Sequence, residues 1–178
     1  MTVGALGGPY PTNRTLIFFP SSTTGQVATA NVLIEGNTIN TFSDPVNGIA
    51  ESLFVNTPDS GRAPSFTTTV KDNVVNITDP TATSLRGIAL QSTQNDGATG
   101  SNGCFRVSGN DVNYSPAAPA GVNGLRVRQA GTGVVRLEQG ISSGTAATVL
   151  AANNPSSTTE AVGTVTVVPN GTCLAAPT

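Results

Sequence analysis

Charge is the first thing this sequence is short of. Only 10% of its residues are charged, against roughly a quarter in ordinary soluble domains. It has no His and no Trp, one Lys and one Met, and aromatic residues make up 4%. The formal net charge is -2. There is therefore no basic footprint for nucleic acid and no polybasic membrane anchor. The lack of His removes the commonest general base. No apolar run approaches the roughly 20 residues that span a bilayer. The opening stretch, MTVGALGGPYPTNRT, lacks the cationic start and apolar run of a signal peptide. If exported, the chain is expected to be a mature fragment or a piece of something larger.

What is present is equally one-sided. Gly, Pro, Asn, Thr and Ser are abundant, and the apolar residues are mostly Val, Leu, Ile and Ala. Disorder normally combines low hydrophobicity with high net charge and few β-branched residues. Here the net charge is small and Val and Thr are plentiful, which predicts many short strands and turns. A chain of 178 residues suits one domain with a continuous core. The two cysteines, Cys104 and Cys173, sit in turn-like settings without metal-ligand spacing. A disulfide between them fits the secreted-type composition. It would close a loop of about 70 residues, worth roughly 4 kcal/mol in the chain-entropy picture. Two unrelated buried thiols are the alternative.

Internal repetition carries the fold. IEGNTIN (34–40), VKDNVVN (70–76) and VSGNDVN (107–113) align without gaps, 36 and then 37 residues apart. The shared pattern is an aliphatic residue, any residue, Gly or Asp, Asn, any residue, an aliphatic residue and Asn. A second strand follows each copy: GIAESLFV from Gly48, GIALQS from Gly87 and GLRVRQ from Gly124. Polar, Pro-containing loops separate the two strands. Units of this size without helical periodicity suit one coil of a β-solenoid.

Strand alternation sets the parity of each copy. Val32 and Ile34 face inward with Glu35 outward, Val70 inward with Lys71 outward, and Phe105 and Val107 inward with Arg106 outward. Gly-Asn or Asp-Asn then bends the chain, because Gly, Asn and Asp tolerate left-handed backbone angles. Ile39, Val75 and Val112 resume the inward face. Asn37, Asn73 and Asn110 are expected to stack as a structural ladder, their amides bonding along the column and to their own turns.

The predicted fold is all-β, a right-handed parallel β-helix of about four to five coils forming a single domain over 1–178. Residues 15–30 form an incomplete first coil, 31–139 the repeat coils, and 140–178 an irregular or short-helical cap. Within that cap TVLAANNP reads as a short helix, with Thr145 as N-cap and Pro155 beyond its end. An uncovered coil would leave backbone groups unpaired and invite aggregation.

From Cys104 onward, CFRVSGNDVN, LRVRQAGTGVVRLEQG, AATVLAANNPSSTTEAVGTVTV and PNGTC resemble the C-terminal end of large bacterial β-helix surface proteins. In that family a CxxxSGN coil is followed by a YxLxQ-type strand, a VRLxG strand, a small-residue segment near NNP and a final GTC. The earlier GNTI-like turns resemble the repeats of pectate-lyase-like proteins. The resemblance implies an exported, adhesin-like surface role and a paired first and last cysteine, and it brings no catalytic residues. This chain is much shorter than those proteins usually are.

Enzymes on such scaffolds need clustered carboxylates for calcium, or carboxylate pairs facing one cleft. Of the acidic residues only Asp72 and Asp111 fall near equivalent places, and turns already explain both. No catalytic, cofactor or metal residues are expected. Phe18, Phe19, Phe54, Phe66 and Phe105 read as core or loop anchors. Arg106, Arg126, Arg128 and Arg136 share an outward parity. They form a candidate strip for an anionic glycan or cell-envelope polymer, set against the plainer reading of charge that keeps strands soluble. The expected role is a non-catalytic structural or adhesive module, extracellular or at the cell surface, with loops 56–66 and 92–103 as contact regions. Two other readings stay open: a carbohydrate-binding or carbohydrate-active protein, and a rod that self-associates through its solenoid ends.

Overall fold

The computed structural model describes residues 2–4, 14–18, 29–42, 51–56, 65–78, 86–92, 102–118, 120 and 122–177. The described strands are β1 (Thr2–Gly4), β2 (Arg14–Phe18), β3 (Thr29–Glu35), β4 (Thr38–Phe42), β5 (Glu51–Asn56), β6 (Ser65–Lys71) and β7 (Val74–Thr78). They continue with β8 (Arg86–Gln91), β9 (Asn102–Ser108), β10 (Asp111–Ser115), β11 (Leu125–Arg128) and β12 (Val135–Glu138). One helix, α1 (Ala146–Asn153), precedes β13 (Thr159–Val162) and β14 (Val165–Val168). Strands rich in Thr, Val and Ile suit the pleated, half-buried surface that β-branched side chains favour.

These strands form three sheets, ordered β1-β4-β7-β10, β13-β11-β8-β5-β2 and β14-β12-β9-β6-β3. Every pairing is parallel. From β1 to β12, each stretch of three consecutive strands thus contributes one strand to each sheet, a β-helix-like all-β arrangement. Parallel pairing needs a long connection between partners, which the 36–37-residue repeat supplies.

Register turns the sequence repeat into columns. Ile34, Val70 and Val107 are direct neighbours in the third sheet, and Ile39, Val75 and Val112 in the first. Leu53, Ile88 and Leu125 align in the second, as do Val55, Leu90 and Val127. All twelve side chains belong to one buried core cluster. Burial alternates along β9, with Gly103, Phe105 and Val107 inward. By contrast β5 is buried on both faces. Phe54, Phe66 and Phe105 are buried as anchors; the side chain of Phe18, and all of Phe19, lie outside the described residues.

Gly87 opens its strand for a steric reason. A Cβ there would sit 2.3 Å from a Val112 methyl, so the first and second sheets approach too closely for any side chain.

Parallel pairing does not stop at residue 139. β13 pairs with β11 and β14 with β12, so the last segment adds two more strands. The first sheet ends at β10, and α1 falls where its next strand would come in the three-strand rotation. Thr145 is its N-cap, accepting from the Thr148 N–H, and Asn154 is its C-cap, with Pro155 next. Ala146, Val149 and Leu150 pack on the core. No helix among the described residues is long and apolar enough to cross a membrane.

Candidate functional site: a buried asparagine ladder and a strapped sheet face

The ladder begins at the bends. Gly36, Asp72 and Gly109 all have positive φ, 64°, 55° and 65°, where Gly, Asn and Asp are the tolerated residues. Their N–H groups donate to Lys71, Ser108 and Asn153 carbonyls, which ties each bend to the one that follows. A side chain at 109 would meet the Asp72 carboxylate, with Cβ only 2.2 Å from its Oδ1.

The following asparagines stack. Asn37 donates from both its backbone N and its Nδ2 to Asn73 Oδ1, at 3.1 and 2.9 Å. Asn73 does the same to Asn110 Oδ1, at 3.2 and 2.9 Å. Asn110 in turn donates to Asn154 Oδ1, at 3.1 and 3.0 Å. Asn73 and Asn110 are fully buried, and their amides also reach the Ile34 and Val70 carbonyls. Asn154 is a fourth member that the repeat pattern misses. It donates to the Leu150 carbonyl, so the helix cap closes the ladder. A second, exposed row lies three residues on, where Asn76 donates to Asn40 and Asn113 to Asn76.

The outer face of the third sheet is crossed by the segment 169–177. Asn170 clasps Gly140, accepting from its N–H and donating to its carbonyl, both at 2.8 Å. Cys173 is joined to Cys104 by a disulfide that spans 69 residues. The Cys173 N–H donates to Glu138 Oε1 at 2.7 Å, and Arg106 donates to the Cys173 carbonyl. Asn31 donates to the Ala175 carbonyl. The strap is therefore tied to β3, β9 and β12 of this sheet. Cavities of about 260 and 310 Å³ flank it.

The four arginines do not make one exposed strip. Arg106 is held bidentately by Glu138, at 2.7 and 3.2 Å, beneath the strap. Arg126 does sit on the outer parity of its strand, but only 8% of it is exposed, and it pairs with Glu51 at 3.0 Å. Burial pulls its pKa down to about 10, helped by nearby Arg86 and opposed by Glu51. Arg128 is half-buried on the second sheet, whereas Arg136 is exposed on the third. Parity was legible in the sequence, but the cover over the second sheet was not, because alternation says nothing of what lies above a face.

The described carboxylates are already engaged. Glu35 pairs with Lys71 at 2.6 Å and Glu160 with Arg86 at 3.0 Å, beside the Glu51 and Glu138 pairs. Asp72 forms a bend, and Asp111 accepts from Asn113. Among the described residues no group of His, Cys, Asp or Glu is arranged to hold a metal ion. Loop residues 57–64 and 93–101, expected to contact partners, lie outside the described residues. No protein family, curated protein or solved structure matches this chain.

Proposed function

We propose that this chain is a right-handed parallel β-helix of about four to five coils, acting as a non-catalytic structural or adhesive module of an exported surface protein. The observation that supports it is where its polar groups go. Buried amides bond to one another along the stack, and the Glu carboxylates bond to Arg or Lys of other strands in the same sheet. Such groups stiffen a rod, whereas a glycosidase or lyase needs carboxylates free to exchange protons or bind calcium. The disulfide agrees with an oxidising compartment. Recognition falls to loops carried by the rigid scaffold.

Immobilised protein on a glycan array, with parallel incubation in polygalacturonate and xylan, tests this reading. Retention of cells or glycans without release of reducing ends or unsaturated products is the expected result. Release that scales with protein concentration would make the chain an enzyme and end the proposal.

A further inference from the structure

The disulfide lies on the outer face of the third sheet, with Cys104 half-buried and Cys173 buried beneath the strap at 3% exposed. Both cysteines line the 260 Å³ cavity, together with Arg136 and Leu174, and that cavity is the approach to the sulfurs. Their surroundings differ in charge. Arg136 is the cross-strand neighbour of Cys104; it is exposed and makes no ion pair with a described residue. Arg106 lies two residues along the same face, but its charge is matched by Glu138. Cys173 has both members of that neutral pair, Glu138 on its N–H and Arg106 on its carbonyl. An adjacent guanidinium stabilises a thiolate, and the more stable thiolate is the better leaving group. Only Cys104 has an unmatched guanidinium beside it.

The same face holds two buried oxygens without hydrogen-bond partners, Asn31 Oδ1 and Thr69 Oγ1. Burying such atoms is unfavourable, so lifting the strap returns them to water.

We propose that Cys104–Cys173 is a thiol-exchange site for a low-molecular-weight thiol, and that exchange unlatches the strap from the third sheet. The thiolate of the small molecule attacks Cys173 Sγ and forms a mixed disulfide there. The Cys104–Cys173 bond breaks, and its electron pair stays on Cys104 Sγ beside Arg136. A second small thiol then attacks the mixed disulfide and leaves as the oxidised dimer. Cys173 takes up the proton that thiol gave up. Two electrons have passed from two small thiols to the protein disulfide. The strap is then held without a covalent tie, and its hydrogen bonds at Asn170 and Ala175 are exposed, the class of contact that opens locally.

The test uses the folded, oxidised chain and limiting reduced glutathione at mildly alkaline pH, quenched with acid and mapped by peptide mass. The adduct is expected on Cys173. After full reduction, amide exchange over 171–176 is expected to rise while β9 and β12 stay protected. Arg136→Gln raises the pKa of the leaving thiol, so reduction slows severalfold with the unfolding temperature of the oxidised protein unchanged. An adduct confined to Cys104, reduction of the variant at the unaltered rate, or strap amides as protected after reduction as before would each overturn the proposal. So would a disulfide that reacts only in denaturant.

Discussion

Asn110 concentrates the energetics of the ladder in one side chain. Its Oδ1 accepts from two donors of Asn73 and its amide reaches the Val70 and Ser108 carbonyls, all at about 3 Å. Asn110→Ala would leave the buried Asn73 backbone N–H without its acceptor and remove one of the three acceptors of the Asn73 amide. A buried group left unpaired costs about 1–3 kcal/mol, and a network multiplies the stakes. We expect Asn110→Ala to lose about 3 kcal/mol in urea unfolding, while Asn40→Ala, in the exposed row, stays within about 0.5 kcal/mol. Equal losses at the two positions would show that burial is not what gives the ladder its value. Tyr114 gives a second test at this scale. Burial raises its hydroxyl to about 12, so the neutral form is favoured in the fold. Its contribution is complete below the unfolded value of about 10 and is lost as pH climbs through the folded value. Tyrosinate absorbance should therefore gain a late component that coincides with loss of stability between those limits. A titration complete near pH 10 with the fold intact would contradict it. The Asn37, Asn73 and Asn110 positions were readable because they keep one spacing. Asn154 was not, since the insertion of α1 lengthens the step to 44 residues.

Helix α1 shows how an element can close a stack of strands that its sequence does not continue. Its ends were legible from local chemistry: Thr145 as cap, small helix-forming residues, and Pro155 past the end. Its purpose was not, because that depends on which strand it replaces. The C-cap amide of Asn154 enters the ladder, and the Asn153 carbonyl takes the Gly109 N–H, so the helix supplies the same acceptors as a further bend. Packing should therefore outweigh capping. Leu150, fully buried against the core, should cost about 3 kcal/mol when cut to Ala. Thr145→Ala should cost about 1 kcal/mol. Thermal unfolding of the two variants checks the order; a larger loss at Thr145 would mean that the helix is held by its own propensity rather than by the stack. The second sheet marks the limit of such reading. The outward parity of Arg126 followed from alternation, whereas its burial on that face depends on tertiary cover that no strand pattern encodes.

At the scale of the whole molecule, the parallel sheets make nearly every contact non-local, since paired strand residues such as Val135 and Val165, or Asn102 and Ser65, lie about 30 or more positions apart. Closing such loops before any pairing is formed opposes folding. The Cys104–Cys173 bond acts on that cost. It joins β9 in the middle of the third sheet to the strap that follows β14, which brings the last five strands and α1 inside one covalent loop of the unfolded chain. For a separation of 69 residues the chain-entropy relation gives about 4 kcal/mol. Replacing both cysteines by Ala should lower the stability by about that amount. The parallel-sheet circular dichroism should persist, because neither cysteine belongs to the packed cluster between the sheets. The denaturant slope should also steepen, since an uncrosslinked unfolded chain exposes more surface. Urea titrations of the oxidised and double-Ala proteins measure both quantities. A loss below about 1 kcal/mol with an unchanged slope would mean that the unfolded chain already keeps the Cys104 and Cys173 regions close, leaving the bond to act on the strap alone.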